Sequence, residues 1–465
     1  MGGLFGVVSK RDCLEDLFYG ADYHSHLGTR RGGLAVKNTG GFQRFIKDIT
    51  NTQFRSKFEK DLKKMHGNLG IAVISDYDDQ PLIISSHLGV FAIATVGRIN
   101  NLEDLAKEAL KNGTHFSEMH GGEINPTEMV ATIISQESTF EEGIQRLQNK
   151  IDGSCTILIL ADKGLYAARD KFGRTPLIIG QKPGSYAVTM ETCAFPNLGY
   201  EITKYLGPGE VVFLNESRID QKITPGDQLQ ICAFLWVYYG FPASNYEGIN
   251  VEVVRHRCGS YLAKNDEIAI DLVAGIPDSG TAHGLGYANE AKVPFLRPFV
   301  KYTPTWPRSF MPQDQSIRDL VAKMKLIPIK EHIEDKRLLF CEDSIVRGTQ
   351  LRKTIKRLFR AGAMEVHMRP ACPPLIFGCK FLNFSRSRSE LDLAGRWAIK
   401  ELTGQDIENP TDYVDPSSAN YIAMVDVIRK KLHLTTLKYQ KLENLVKAIG
   451  LPKEKLCTYC WDGVE

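Results

Sequence analysis

The residues best suited to chemistry follow the apolar run Arg337–Cys341. That run ends in an acidic pair, and hydroxyl, basic and glycine residues come next: Glu342, Asp343, Ser344, Arg347, Gly348 and Thr349. Carboxylates can accept hydrogen bonds from ribose hydroxyls or hold Mg²⁺. Backbone N–H groups at the start of a helix, together with hydroxyl side chains, can bind a phosphate. The segment therefore predicts a sugar-phosphate site, with an ordinary capped turn after a strand as the simpler alternative.

Strands and helices alternate around this segment, which predicts an α/β domain with a parallel sheet. The predicted strands are Ala269–Ile276, Arg337–Cys341 and Met364–Arg369, and the predicted helices are Thr281–Lys292, Leu351–Ala361, Asn420–Lys430 and Leu437–Ile449. Parallel strands need crossover connections, which are right-handed. Sheets of this kind bind ligands beyond the carboxyl ends of their strands. Glu342 lies at such an end.

The segment Glu342–Gln350 resembles the signature with which type I phosphoribosyltransferases bind phosphoribosyl pyrophosphate (PRPP). More narrowly, it resembles the version found in the amidophosphoribosyltransferase family, the glutamine-dependent first enzymes of purine synthesis. That version usually begins with two aspartates, whereas here a glutamate comes first. Glu342 keeps the charge and adds one methylene. The resemblance implies that Glu342 and Asp343 bind PRPP and Mg²⁺.

Further matches to the same family lie elsewhere in the C-terminal half. Ile276–Gly280 resembles the loop on the pyrophosphate side of the family's site. Lys301–Phe310 resembles the loop that closes over PRPP, although it contains two prolines and lacks the usual interior arginine. The resemblance implies that PRPP contacts the following residues: Asp278, Ser279, Arg308, Lys325, Glu342, Asp343, Ser344, Arg347, Gly348 and Thr349.

The ten cysteines include one pair with the spacing of metal ligands, Cys457 and Cys460. A lone pair with this spacing is structural or coincidental about as often as it binds a metal. Cys232 and Cys379 stand at two more positions that match the family, and the resemblance implies a [4Fe–4S] cluster on these four thiolates. Structural Zn²⁺ is the alternative. The other cysteines are expected to be unpaired core residues, because disulfides are rare in a reducing cytosol.

Short β-like runs bounded by Gly, Asn and Asp dominate the N-terminal half. We predict an α+β domain with mostly antiparallel sheets over residues 1–225, followed by a second domain over 226–465. Gln221–Gln228 is predicted to be a polar connector. The predicted strands are Leu4–Val8, Gly70–Ile74, Gly89–Ala94, Thr156–Leu160, Tyr186–Thr189 and Glu210–Phe213, and the predicted helices are Leu102–Lys111 and Pro126–Ser135.

Residues 4–215 resemble the class II glutamine amidotransferase domain, which has an N-terminal-nucleophile fold. The string Arg169–Leu177 (RDKFGRTPL) is the most specific match. Enzymes with that domain need cysteine as the first residue of the mature chain. The thiolate attacks the glutamine amide and the free α-amino group acts as base. Gly2 occupies that position here, and Cys13 lies beyond the strand that would carry the nucleophile.

Other parts of the glutaminase site are also missing. The arginine that follows the family's first helix falls on Leu27, and the strand Gly70–Ser75 lacks the arginine that clamps the substrate. The side-chain donor of the oxyanion pair falls on Val96, and the aspartate that reads the amino group falls near Pro126. Loss of one such donor typically costs roughly 10²–10³ in rate. We therefore expect no glutaminase activity, and a misaligned but active domain is the alternative.

The composition narrows the possible partners. The 465 residues are 43% hydrophobic and 24% charged, which is ordinary for a globular protein. A net charge of +3 is too small to indicate binding to nucleic acid or to a membrane surface. No apolar run approaches the roughly 20 residues that span a bilayer, and the N-terminus lacks the pattern of a signal peptide. We expect a cytoplasmic protein.

Three functions agree with these observations. The first is an amidophosphoribosyltransferase-like glycosyltransferase that aminates PRPP with ammonia and yields 5-phosphoribosylamine for purine nucleotide synthesis. The second is a non-catalytic paralogue that binds PRPP or a purine nucleotide and regulates an active homologue through hetero-oligomers. The third is transfer of another nucleophile, such as a base, onto PRPP. We favour the first because both PRPP loops are present. The resemblance also implies a homo-oligomer.

Overall fold

A computed structural model of the chain describes residues 2–120, 122–264, 266–302, 326–382 and 390–465. Two antiparallel sheets occupy the N-terminal half, and a parallel sheet occupies the C-terminal half. This arrangement confirms the predicted fold class. Among the described residues, no helix is both long and apolar enough to cross a membrane.

The N-terminal half consists of strands that form two stacked sheets and of helices that flank them. Its strands are β1 (Gly3–Ser9), β2 (Arg31–Asn38), β3 (Gly41–Asp48), β4 (Leu69–Ser75), β5 (Leu82–Ser86), β6 (Gly89–Ile99), β7 (Met119–His120), β8 (Glu123–Ile124), β9 (Gly153–Ala161), β10 (Gly164–Ala168), β11 (Ile178–Lys182), β12 (Ser185–Thr189), β13 (Glu201–Tyr205), β14 (Val211–Leu214) and β15 (Ile219–Ile223). Its helices are α1 (Leu14–Asp22), α2 (Phe54–Leu62), α3 (Leu102–Lys111), α4 (Pro126–Ile134), α5 (Phe140–Lys150) and α6 (Ala194–Leu198).

The first sheet has the strand order β13-β11-β12-β1-β4-β2-β3, and the second has the order β15-β14-β10-β9-β6-β5. Side chains alternate between the two faces of each strand. Leu4 of β1 and Leu158 of β9 therefore face the core between the sheets. The next residue along, Phe5, packs on the side of α1 and α2, and Ile157 packs on the side of α3, α4 and α5. The result is a four-layer sandwich with helices outside both sheets.

The C-terminal half is built around the parallel sheet β19-β22-β23-β24. Its strands are β16 (Ile231–Cys232), β17 (Asn245–Tyr246), β18 (Ile249–Asn250), β19 (Leu272–Gly275), β20 (Phe299–Lys301), β21 (Leu326–Pro328), β22 (Arg337–Glu342), β23 (Glu365–Pro370), β24 (Thr436–Leu437) and β25 (Leu456–Cys457). Its helices are α7 (Val251–Ala263), α8 (Thr281–Ala291), α9 (Thr349–Arg360), α10 (Ala394–Thr403), α11 (Ala419–Leu432), α12 (Leu442–Ile449) and α13 (Tyr459–Asp462), and a π-helical turn covers Leu235–Tyr239.

Both faces of the parallel sheet are covered, as is usual for such sheets. Val273 and Leu339 pack into a core shared with α7, α8 and α12. Leu338 and Phe340 point the other way, into a core shared with α9, α10 and α11. The continuous apolar run Leu338–Cys341 follows from this double burial.

Several predicted boundaries were wrong, including the end of the strand predicted over Gly89–Ala94, which reaches Ile99. The last predicted helix begins at Leu442, because Leu437 pairs with Met368 and extends the parallel sheet. The proposed connector begins later than predicted, because Gln221 to Ile223 belong to β15. The strand predicted from Ala269 begins at Leu272.

The two halves meet through a buried polar cluster centred on Glu191, which is 1% exposed. Its carboxylate accepts hydrogen bonds from the hydroxyls of Ser244 and Tyr246, the latter at 2.8 Å. His26 Nε2 lies 3.1 Å from the same carboxylate. The backbone N–H of Cys193 donates to Ser244 Oγ at 3.2 Å. Residues of the C-terminal half thus supply two of the donors that allow this carboxylate to be buried.

Tyr246→Phe tests this contact between the halves. Removing the hydroxyl leaves Glu191 with one donor fewer in a buried site, so we expect unfolding to require about 1.5–3 kcal/mol less free energy. The measurement is equilibrium urea unfolding. Tyr186→Phe is the control, because its hydroxyl makes only a 3.5 Å contact with Gln181 near the surface. Equal stability of the two variants would contradict the structural weight given to Glu191.

Candidate functional site

Two loops that leave the parallel sheet meet at the carboxyl ends of β19 and β22. The parallel register places Gly275 beside Cys341, and the backbone N–H of Ile276 donates to Cys341 O at 3.0 Å. The loop Ile276–Gly280 therefore lies against the start of the loop Glu342–Gly348. The structure thus brings together the two segments that the sequence had singled out.

The carboxylates of this site are held by short-range hydrogen bonds. Ser279 Oγ donates to Glu342 Oε1 at 3.3 Å, and the backbone N–H of Asp343 donates to the same oxygen at 3.1 Å. Ser344 Oγ donates to Asp343 Oδ1 at 2.6 Å. Burial raises the pKa of Glu342 well above its usual range, and the neighbouring charge of Asp343 adds to that shift. Two hard oxygen groups at a strand end suit Mg²⁺ or ribose hydroxyls.

The start of α9 has a geometry suited to binding a phosphate. Gly348 has a φ of 73°, a left-handed conformation that glycine adopts without strain, and no side chain caps the helix. The N–H groups of the first turn therefore stay available for an anion. Arg347 is exposed, with its guanidinium 3.5 Å from Asp392. Thr349 begins the helix, and its side chain is outside the described part of the structure.

The loop Ile276–Gly280, which is expected on the pyrophosphate side, also makes a charged contact. Lys301, at the end of β20, forms an ion pair with Asp278. The Pro277–Asp278 peptide bond is cis. Arg308 and Lys325, the other basic residues expected here, lie outside the described residues.

Arg255 of α7 is a buried charge near this site that the sequence analysis missed. Its guanidinium donates to the backbone carbonyls of Trp236, Tyr238 and Gly240 at 2.8–3.0 Å. Burial lowers the pKa of Arg255, and the attraction of Asp343 opposes that shift. An arginine on the apolar face of α7 was the signal available in the sequence.

The four cysteines that match the family line one cavity. Cys232 pairs with Cys457 in the short parallel ladder of β16 and β25. Cys379 and Cys460 complete the lining. The chain thus gathers thiols from three distant segments. Within the described ranges, however, no three His, Cys, Asp or Glu side chains are already disposed as metal ligands.

At Gly2, where the sequence analysis expects the family's nucleophile, the structure leaves no room for a side chain. A Cβ atom on Gly2 would lie 2.6 Å from Ile74 O and 3.1 Å from Val96 Cγ2. Real Cβ atoms do not approach a backbone oxygen this closely. Cys13 is buried at the start of α1, and burial raises the pKa of its thiol. Neither residue provides an accessible thiolate.

The other positions that the sequence analysis assigned to the glutaminase site make structural contacts. Leu27 is 3% exposed and packs into the core of the C-terminal half. Ser75 Oγ accepts hydrogen bonds from the backbone of Tyr77 and Asp78. Pro126 begins α4, and the preceding Asn125 caps that helix by accepting from Thr127 N–H at 2.9 Å.

Comparisons with known proteins agree with this geometry. A family model described as a glutamine amidotransferase domain matches residues 66–197. An amidophosphoribosyltransferase of Methanocaldococcus jannaschii is 29% identical over 489 residues, covering 100% of this chain and 97% of that protein. The amidophosphoribosyltransferase of Archaeoglobus fulgidus is 30% identical over 324 residues, 70% of each chain. The chain belongs to the amidophosphoribosyltransferase family.

A solved structure is similar to this chain over nearly its whole length. The glutamine PRPP amidotransferase of B. subtilis, complexed with ADP and GMP, has a TM-score of 0.85 and 25% identity and covers 99% of this chain and 96% of its own. The chain is thus a member of a transferase family of purine biosynthesis, with the glutamine amidotransferase and phosphoribosyltransferase folds of that family.

Gly2→Cys tests whether the amidophosphoribosyltransferase-family nucleophile can be restored here. We expect no glutaminase activity, because the space is filled, and a loss of about 1–3 kcal/mol in stability from overpacking. The measurements are glutamate release from glutamine and urea unfolding. Gly226→Ala is the control, since its Cβ would approach only Pro208 O at 3.8 Å. Glutamine hydrolysis by Gly2→Cys would show that the site is open.

His24, buried beneath this closed site, makes the stability of this family member depend on pH. Burial lowers the pKa of His24 to about 4, and its ring contacts Gly20 O at 2.7 Å and Thr189 Oγ1 at 3.1 Å. The unfolded chain takes up the proton near pH 6.5, whereas the folded chain does not. Stability is therefore lost as the pH falls from about 6.5 to 4, by about 1.4 kcal/mol per unit.

Unfolding of the wild type and of His24→Gln between pH 7.5 and 4.5 measures this effect. We expect the variant to show a shallower fall in stability over that range. His66→Gln, which alters an exposed imidazole, is the control and should follow the wild type. Parallel pH profiles for all three proteins would contradict a buried, neutral His24.

Proposed function

We propose that this chain binds Mg–PRPP at the carboxyl ends of β19 and β22 and aminates it with ammonia, without a glutaminase of its own. The observation that carries the proposal is a contrast between two sites. The loops with Ser279 and Glu342 meet in hydrogen-bonding contact, whereas the position of the glutaminase nucleophile is a glycine enclosed by Ile74 and Val96.

The transfer needs positioning rather than a nucleophilic side chain. In the proposed reaction the ammonia nitrogen forms a bond to C1 of PRPP, the bond from C1 to the pyrophosphate oxygen breaks, and the surplus proton passes to solvent. Asp343 and Glu342 would hold the ribose hydroxyls, and the first-turn N–H groups of α9 would hold the 5′-phosphate. Lys301, next to Asp278, would face the pyrophosphate. Mg²⁺, when bound, supplies charge neutralisation for the leaving group.

Glu342 and Asp343 are the residues that we propose to hold Mg²⁺, because adjacent carboxylates provide the oxygen ligands that this ion prefers. We also propose that Cys232, Cys379, Cys457 and Cys460 hold a [4Fe–4S] cluster, or Zn²⁺ in its place. Soft sulfur donors from three segments lining one cavity support this assignment.

We assign residues 1–225 to the amidotransferase-like domain and 226–465 to the phosphoribosyltransferase domain. The end of β15 at Ile223 and the parallel sheet from Leu272 support that division. Because the B. subtilis relative was solved with ADP and GMP, we further propose that purine nucleotides bind this chain. The homo-oligomer or hetero-oligomer expected from the sequence stays a prediction.

Pyrophosphate release from Mg–PRPP, with ammonium chloride or glutamine as nitrogen source, tests the proposed reaction. We expect release with ammonium and none with glutamine. Asp343→Asn should lower the ammonium-dependent rate by roughly 10²-fold, because the ribose loses a fixed acceptor. Asp220→Asn is the matched control, since Asp220 pairs with Arg218 on the surface of the other half.

Three other outcomes would count against the proposal. Release with glutamine would contradict the closed glutaminase site. Release only with purine or pyrimidine bases would indicate a different acceptor. No pyrophosphate release with either nitrogen source, together with measurable PRPP binding, would favour the non-catalytic regulatory paralogue.

A further inference from the structure

The amidotransferase-like half contributes a guanidinium to the cavity that the four cysteines line. Arg174 is 4% exposed and forms part of the lining. Its Nη1 donates to Cys457 Sγ at 3.0 Å. The guanidinium carbon lies 3.3 Å from the centre of the Phe381 ring, and the backbone N–H of Cys232 donates to Arg174 O at 3.0 Å. One residue of the N-terminal half thus touches three walls of a cavity in the C-terminal half.

The surroundings of Arg174 differ from those of the neighbouring Arg169. Across the described ranges, no carboxylate lies within ion-pairing distance of Arg174, and its buried Nε has no hydrogen-bond partner. Asp170 is near enough to feel its charge, but that carboxylate accepts from the backbone of Phe172 and Thr175 instead. Arg169 of the same loop, in contrast, pairs with Glu247 at 2.8 Å.

A buried charge is stable only when a compensating charge or dipole faces it. Among the described residues, the side chains that face the guanidinium are the thiol of Cys457 and the rings of Phe381 and Phe172, and these compensate a buried cation only in part. Thiolates bound to a metal are different, because they carry net negative charge and accept hydrogen bonds. The charge of Arg174 is therefore compensated when the four sulfurs are deprotonated and bound to a metal.

We propose that Arg174 is the counter-ion of a thiolate metal centre, so that the amidotransferase-like half completes a site whose ligands all come from the other half. The inference rests on the cysteine assignment made under the proposed function. It adds a role for the N-terminal half that does not involve glutamine. Metal binding and the docking of the two halves are then linked, and each strengthens the other.

Metal retention by Arg174 variants tests this role without any catalytic assay. The full-length chain is purified anaerobically, and iron, acid-labile sulfide and zinc are measured to identify the metal. The rate of metal release to a chromogenic chelator is then compared among variants. We expect Arg174→Gln to release metal 10–100-fold faster, the usual range for the loss of a partner of a ligand. The release rate of Arg174→Lys should lie between those of Arg174→Gln and the wild type. Lysine keeps the charge but lacks the planar guanidinium group and its contact with the Phe381 ring.

The matched control is Arg55→Gln, because Arg55 also lies over an aromatic ring, that of Tyr19, but pairs with Asp22 away from the cysteines. Its release rate should equal that of the wild type. A release rate for Arg174→Gln within twofold of the wild type would overturn the counter-ion role. A wild-type chain that holds neither iron nor zinc after reconstitution would overturn the metal centre and the counter-ion role together. Ammonia-dependent transfer is measured separately, so the two failures are distinguishable.

Hydrogen exchange in the wild type keeps the proposal testable if a variant fails to fold. Loading the metal should slow amide exchange across residues 169–177, which hold Arg174 against the cavity. The hairpin of β2 and β3 serves as the internal control, since it lies at the far edge of the first sheet. Unchanged exchange across 169–177 on metal loading would count against the link between the halves.

Discussion

The parallel pairing of β19 with β22 is the interaction on which the C-terminal half depends. This pairing sets the carboxyl ends of the two strands side by side, so that the loops after Gly275 and Cys341 must share one space. A slip of one residue would turn every side chain of a strand to its opposite face. Leu338 and Leu339 belong to different cores on the two faces of the sheet. The packing of both cores therefore fixes the register that brings Ser279 to Glu342.

The contact between the halves is polar as well as apolar, and it gives the amidotransferase-like half a structural role. Glu191 depends on hydroxyls from the other half, and Leu27 is part of the other half's core. Arg174 lines the cysteine cavity. Separating the halves would remove two of the donors to Glu191 and expose an apolar face to water. The N-terminal half thus helps to hold the C-terminal half through Glu191, Leu27 and Arg174.

The sequence predicted those parts of the molecule in which local pattern and tertiary packing agree. Helix Leu102–Lys111 has the predicted bounds, and the strands around Leu4 and Thr156 lie where alternation or an apolar run indicated them. The meeting of the two loops followed from the rule for parallel sheets. Strand β2 was missed because Gly32 and Gly33 weaken its pattern. Their close approach to Phe54 and Gln80 is visible only in three dimensions.

Other parts of the site depend on contacts between residues far apart in the chain, which no local pattern contains. The string around Arg174 was recognised as a framework motif, yet its contact with Cys457 spans 283 positions. Arg255 was missed for the same reason, because its acceptors belong to a π-helical turn that the sequence did not predict. The convergence of the four cysteines was anticipated from family resemblance. The cavity that these four cysteines share is visible only in the folded chain.

The enclosure of Gly2 by Ile74 and Val96 has an evolutionary consequence. A cysteine gained at position 2 would gain no activity until Val96 became smaller and the backbone of β4 moved. A smaller residue at position 96 would by itself leave a void in the core and confer no benefit. Each of these two substitutions, made alone, would therefore lower stability without giving an activity on which selection could act. Under the proposed function, a chain whose site is filled in this way depends on nitrogen from another source.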